Sequence, residues 1–397
     1  MSLLCFLMPL FSRKSQGFEG NEDGSDGGSR MLQHFVSLDR KGSDDAAAYR
    51  KLKELFAPFV LRRRKQDVLA QIMPPKTRKV EFVELDPVGR TIYNGVLEKH
   101  VQNKDNKKAR EHLFTQLRKA AHHPLLLRTR YLKEAEKSHL VDCFFRFGAF
   151  RGEGCTRLRV EEEVAKFNDF DIHLTALELL QQNPMREDEL RRYILQEEDL
   201  FSSAKCKRLR TLLPELVRNG HRVLVFSVWT NCLDLLSCLL EQLDMKYLRM
   251  EGSTPVDERQ SLIDEFNRDA SIPIFLLSTK ACGLGINLTA ADVCIMHDID
   301  FNPFNDLQAE DRCHRIGQKK PVQVIKLVCK ETVDEDIFSM QERKAKMSAA
   351  IMESSTFEAK KEREKVLQNA VDRYLTSPSV RKSGAGSSSD PIEVDDL

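Results

Sequence analysis

RVLVFSVWTNCLDLLSCLLEQLDMKYLRM, residues 222–250, decides the fold. It opens on a short apolar run, RVLVFS (222–227), passes through NCLDLLSCLLEQL (231–243), which is apolar at helical spacing, and closes on a second run, KYLRM (246–250). Strand, helix, strand is the reading. The alternation continues through STPVDERQSLIDEF (253–266), PIFLLS (273–278), VCIMHD (293–298) and VQVIKLV (322–328). Strands that alternate with helices predict a parallel sheet with right-handed crossovers, a doubly wound α/β domain. Ligands on such sheets collect at the carboxyl ends of the strands. That rule points to Ser227, to Ser278–Thr279 and to Asp298 onward. Thr254, Pro255 and Asp257 predict a helix start, with Thr254 as cap, proline at the first position and an acid at the third.

Upstream, residues 16–30 are Gly/Ser/Asp-rich and read as a loop. Residues 44–72 read as helical, with a basic knot at Arg62, Arg63, Arg64 and Lys65, and Pro74–Pro75 stops that helix. The knot is a solvated face by default, with phosphate contact or a nuclear import signal as alternatives. RKVEFVEL (78–85) reads as a strand, Pro87 to about Leu127 as a helical pair, and 131–204 as weakly patterned and mostly helical. Beyond Asp334 a charged helical stretch runs to about Leu375. A Ser/Gly-rich, then acidic tail follows from Ser377, predicted disordered. Within it, Ile392 to Val394 could add as a strand to a protein partner.

The 397 residues allow two or three domains of roughly 150 residues each. Charged residues make up 31 %, above the norm of roughly 25 %, which predicts long solvated helices. A net charge of +1 supplies no general attraction to nucleic acid, so any DNA contact must come from local patches. The ten cysteines include no C-x-x-C pair, which argues for reduced thiols in a nuclear or cytosolic protein and for no metal site. The apolar N-terminus, MSLLCFLMPLF, is too short to span a bilayer and lacks a charged flank, so no membrane association is expected. It reads instead as a buried segment of a larger domain.

Two constellations carry chemistry. In QAEDRCHRIGQ (308–318), read as helical, Gln308, Arg312 and Arg315 fall at i, i+4 and i+7, one stripe. Two arginines so placed offer planar, permanently charged forks to a phosphate. In STKACGLGINL (278–288), Gly283 and Gly285 permit close backbone approach, and Thr279 and Lys280 add a hydroxyl and a charge. By itself a G-x-G is more often a turn, and two arginines more often a surface helix. Their shared position after strand ends favours a site. The phosphate cradle G-x-x-x-x-G-K-[ST] does not occur in the chain. Asp257–Glu258 and Asp264–Glu265 read as a solvated helix face, His122–His123 as structural histidines, and Trp229 as a core or cap residue as readily as a stacking one.

Taken in order, RVLVFSVWTNCLDLL, LRMEGSTPVDERQSLIDEFN, STKACGLGINLTAADV and DIDFNPFNDLQAEDRCHRIGQ closely resemble the C-terminal motor motifs of the SWI/SNF-related, helicase-like ATPases of superfamily two. FVLRRRKQDVLAQIMPPKTRKVEFVEL and QLRKAAHHPLLL resemble the family's junction between lobes, and further phrases suggest its DEAD/H-box-containing subgroup. The resemblance is good over 52–130 and 205–340. It implies a RecA-like C-terminal lobe at 205–340, preceded by the end of the first lobe and junction (1–86) and a helical protrusion (87–204), and followed by a bracing helix (341–376) and the tail (377–397). It implies that Arg312 and Arg315 reach across a cleft to ATP and Mg²⁺ held mainly by a first lobe. Gly283, Gly285, Gln308 and Asp311 would couple nucleotide to lobe. Ser227, Gly252, Ser253, Thr279 and Lys280 would grip the backbone of double-stranded DNA, in the nucleus, on nucleosomes and their histones. Two positions depart from the family: Cys282 stands where glycine is usual, and Phe301 where many members have tryptophan. Two other readings remain, a non-catalytic DNA- or chromatin-binding regulatory fragment and a strand-separating helicase lobe.

Overall fold

Every strand read from the sequence is present. The runs at 223–227, 274–278 and 293–296 are short, apolar and buried between two helical layers, whereas 76–83 is a charged, part-exposed edge strand and 247–250 a part-buried one. In this computed structural model the described residues are 69, 72–102, 107–150, 155–184, 187–350, 366 and 368–373. The segments 16–30 and 44–68, the basic knot and the acidic tail lie outside them. The chain divides into two compact units, and the elements below belong, apart from residues 346–350, to the one made of Leu69–Ala345 and Ser355–Leu397.

The strands are β1 (Lys76–Val83), β2 (Val223–Ser227), β3 (Tyr247–Met250), β4 (Ile274–Ser278), β5 (Val293–Met296) and β6 (Val322–Cys329). They form one sheet in the order β1-β6-β5-β2-β4-β3, with every pairing parallel. Residues of β2, β4 and β5 are buried on both faces, as in a covered parallel sheet. One face carries Leu224, Phe226, Phe275, Leu277, Cys294 and Met296. It packs on α10 (Val256–Arg268) and α11 (Pro303–Cys313) through Ile263, Phe266, Ala309 and Cys313. The other face carries Val223, Val225, Ile274, Leu276, Val293 and Ile295. It packs on α8 (Ala204–Arg218) and α9 (Thr230–Gln242) through Leu209, Leu213, Leu233 and Leu236. This is the expected doubly wound α/β architecture.

The helical pair is α1 (Pro87–Gln102) and α2 (Lys107–His122), which join α12 (Val333–Ala350) and Val366–Val371 in a core beside the ends of β1 and β6. The weakly patterned stretch resolves into α3 (Glu134–Phe147), α4 (Arg157–Ala165), α5 (Asp169–Gln182), α6 (Glu187–Arg191) and α7 (Glu197–Leu200). The first four, with Tyr193, share a core of their own. Local signals set the ends. Gly148 closes α3 in the left-handed conformation, Asn168 and Asp171 form a capping box on α5, and Ser203 caps α8.

Two expected helix ends differ. Helix α10 starts one residue later than predicted, with Pro255 in the cap position, because the Thr254 hydroxyl turns back to accept from the Glu251 amide at 3.0 Å. Helix α11 ends at Cys313, with His314 as cap, so Arg315 lies beyond it. No described helix is long and apolar enough to cross a membrane.

Candidate functional site at the carboxyl edge of the sheet

The order β5-β2-β4-β3 places four strand ends side by side, and the loops leaving them hold most of the residues singled out from sequence. After β4, the Ser278 hydroxyl accepts from Ala281 N at 3.2 Å and starts a tight 3-10 turn, Thr279–Leu284, that contains Gly283. Gly285 ends it at φ +67°, a left-handed conformation that costs other residues energy, although a side chain there would meet open space. Thr279 is buried and its hydroxyl has no hydrogen-bond partner among the described residues; Lys280 is exposed. After β3, Gly252 and Ser253 are exposed in a loop tied down by Arg259, which donates to the carbonyls of Thr254 (2.8 Å) and Gly252 (2.7 Å).

The arginine constellation is joined to the glycine loop. The Arg315 guanidinium donates to the carbonyls of Gly285 (2.5 Å) and Ile286 (3.0 Å), and Leu288 N donates to Arg312 O (3.2 Å). The predicted single stripe is therefore corrected. Gln308 is exposed on α11, Arg312 is buried in its last turn, and Arg315 sits in the following turn, which Gly317 reverses at φ +104°. Asp311 pairs with Lys76 (3.3 Å).

Ser227 differs from its expected role as a direct DNA contact. It is fully buried, and its hydroxyl donates to Asp298 and accepts from Trp229 N (3.1 Å), while Val228 N donates to the same carboxylate (2.7 Å). It shapes the loop after β2 from beneath. Burial alone would raise Asp298, but the neighbouring imidazoles and Arg118 hold its carboxyl well below the usual range. Trp229 caps α9 and lies under the Arg118 guanidinium, 5.5 Å from the ring centre. Phe301 is buried against Phe114, their centroids 5.3 Å apart, so its ring serves the core.

Behind this edge lies a buried polar knot. The Lys205 ammonium donates to Asp334 (2.6 Å), to His297 O (2.9 Å) and to His122 Nδ1 (3.1 Å), and Lys205, Asp334 and His122 are all fully buried. Burial works against the ammonium more than any single neighbour favours it, but the charge and hydrogen bond of Asp334, with Cys329 and Asp298, together outweigh it and raise its pKa. Burial, then the Lys205 charge, keeps His122 neutral. His123 is also structural: its Nδ1 accepts from Leu125 N (3.1 Å) and its Nε2 meets Leu200 O (2.9 Å). Ligand atoms of Cys232, His297 and Asp298 lie within 4.8 Å of one another. Both Asp298 oxygens are already hydrogen-bonded and the Lys205 ammonium stands beside the group, so the three read as part of the knot.

Residues 204–317 match the helicase conserved C-terminal domain, and residues 1–126 match the SNF2-related domain. The fold also matches the crystal structure of the C-terminal part of the Fun30 ATPase domain, with a TM-score of 0.61 and 32 % identity, covering 75 % of this chain and 99 % of that one. The chain belongs to the SWI/SNF-related, helicase-like ATPase family. Among curated relatives of this SWI/SNF-related chain is Protein CHROMATIN REMODELING 19 of Arabidopsis thaliana, 42 % identical, with 79 % of this chain and 42 % of the relative covered. The Homo sapiens SWI/SNF-related matrix-associated actin-dependent regulator of chromatin subfamily A containing DEAD/H box 1 is 37 % identical, covering 87 % of this chain and 32 % of the relative. ATP-dependent helicase fft1 of Schizosaccharomyces pombe is 36 % identical, covering 89 % and 35 %. The chain thus spans 32–42 % of the length of these relatives.

Two parts of this SWI/SNF-related edge were missed from sequence. Gln318, 7 % exposed, donates to Ala291 O (2.7 Å) and Cys313 O (3.1 Å) and accepts from the amides of Lys319 and Lys320. It pins the turn behind Arg315, and an amide directly after a glycine turn was the available signal. The Lys205 knot had none, because its members come from four separated segments.

Proposed function

We propose that this segment is the C-terminal motor lobe of an ATP-dependent DNA translocase that remodels nucleosomes in the nucleus. The observation that carries the reading is the bond from Arg315 to the Gly285 loop. It makes the arginine pair and the turn after β4 one unit, beside the strand-end loops suited to a phosphate backbone. Arg312 and Arg315 fit a nucleotide's phosphates in charge and position along the edge. In this reading the main phosphate cradle and the acids that would hold Mg²⁺ belong to a first lobe, and Asp311 pairs with Lys76. ATP bound there supplies the free energy of each step. This chain's residues then place positive charge on the transferred phosphoryl group and hold the DNA. Lys280 contributes an exposed charge and Gly252 and Ser253 an exposed loop, while the buried Thr279 starts the 3-10 turn that carries Lys280. Gly283, Gly285, Gln308 and Asp311 transmit nucleotide state through α11 and the turn.

In a complete motor carrying this segment, Arg312→Ala or Arg315→Ala leaves ATP binding nearly intact and slows hydrolysis by about 10³-fold or more. ATP titration with single-turnover hydrolysis checks this, and an equal loss of binding and rate would count against it.

A further inference from the structure

The polar contacts around the arginine pair lead away from the nucleotide edge, to the start of β1. His314, between Arg312 and Arg315, has its Nε2 2.8 Å from Pro74 O and donates to it. The next carbonyl, Pro75 O, accepts from Val322 N (2.9 Å) and starts the β1–β6 register. Lys76 then reaches back to α11, 3.3 Å from both Glu310 and Asp311, the two residues before Arg312. Arg78 adds a second cation to Glu310 at 2.8 Å. Glu310 is fully buried and Lys76 largely covered, so that pair has little water to turn to if parted, whereas Asp311 and Arg78 are half-exposed. Farther along, β1 is fixed by Arg208, which donates twice to Glu81. The entry to β1 is therefore held on one side by its own sheet and on the other by residues 310, 311 and 314, which bracket Arg312.

We infer that His314 and Lys76 are positioning residues: they lock the arginine pair to the path of the chain where it enters β1, so that a change in that path re-aims Arg312 and Arg315. The inference rests on the arginine reading above. Geometry gives it leverage. Arg315 is fixed at its tip to Gly285 and Ile286, and the main chain between the arginines is fixed at His314 to Pro74. A shift at Pro74 must therefore alter the turn 312–317. Misplacement by about 1 Å of a group acting on a transition state can cost about 10²-fold in rate.

The test compares His314→Ala, His314→Gln, Lys76→Met and Arg312→Ala in a complete motor carrying this segment. DNA-stimulated ATP hydrolysis and thermal midpoint are read for each. His314→Ala and Lys76→Met lower kcat by about 10–100-fold while KM for ATP stays within about twofold. His314→Gln, which keeps an N–H to give to Pro74 O, recovers most of the rate. A clip that merely aids folding predicts loss in step with the thermal midpoint and no change in kcat per folded molecule; that result overturns the inference. Arg312→Ala separates the two ideas. If it turns over at the wild-type rate, the arginine reading fails. If it is slow while His314→Ala and Lys76→Met are not, only the positioning role fails. Hydrogen–deuterium exchange on the 397-residue chain tests the lock without any nucleotide. Amides of 285–288 and 312–317 exchange about tenfold faster in His314→Ala, and unchanged exchange there overturns the lock.

Discussion

At the scale of single residues, the sequence named charges correctly and partners poorly. Lys205 reads as one more cation on an amphipathic helix, yet it is fully buried between Asp334, His122 and the His297 carbonyl. Nothing local signals this, because the partners come from α2, β5 and α12. Lys205→Met leaves Asp334 buried without its counter-charge and costs about 3–5 kcal/mol, measurable by chemical denaturation. Adding Asp334→Leu restores most of that loss, and failure to do so would show that the ion pair itself is stabilising. Ser227 teaches a similar lesson: its place at a strand end was legible, and its hydroxyl's inward bond to Asp298 was not. His173 on α5 gives a pH signature. It is buried, accepts from Leu195 N (3.0 Å), and burial lowers its pKa from 6.5 to about 4. The unfolded chain therefore binds a proton that the folded chain refuses. This histidine's contribution is intact above pH 6.5, falls as pH drops toward 4 and levels off below. His173→Asn, which keeps an acceptor and does not titrate, shows a shallower loss of thermal midpoint across that window. An unchanged slope would mean that the imidazole is not held neutral.

At the scale of elements, the central strands β2, β4 and β5 were readable because their apolar runs are buried on both faces and carry no competing pattern, while β1 was readable only from its β-branched and aromatic alternation between charges. The helix carrying the arginines was placed correctly and extended too far. Periodicity continues on paper through Arg315, but the chain turns at His314 and Gly317. What the helix pattern could not express is that the two arginines meet the Gly285 loop from different elements. The turn Thr279–Gly285 is itself testable. Gly285→Ala must hold alanine at φ +67° and costs about 1–2 kcal/mol of stability. Equilibrium unfolding checks this, and a neutral result would mean that the loop relaxes to a negative φ. The helices of 131–204 were readable as helices, but their common core was not, since its residues are spread thinly over α3–α6.

At the scale of the whole molecule, the near-neutral charge and the local basic contacts lead to one expectation about DNA. The 397-residue chain binds double-stranded DNA without sequence preference, and its affinity falls linearly on a log–log plot against salt. Fluorescence anisotropy on two unrelated duplexes across a salt series measures both. Strong preference for one duplex would refute a backbone-only grip. A second consequence concerns synthesis. Strand β1 pairs with β6 at a separation of 246 residues, so the ribosome has made the first edge strand long before its partner exists. At about 5–20 residues per second, β1 waits on the order of ten seconds or more with both edges unpaired, since β6 is its one neighbour among the described strands. Nascent chains stalled before Val322 leaves the exit tunnel should expose β1 to protease and to chaperones. Chains stalled after Cys329 emerges should not.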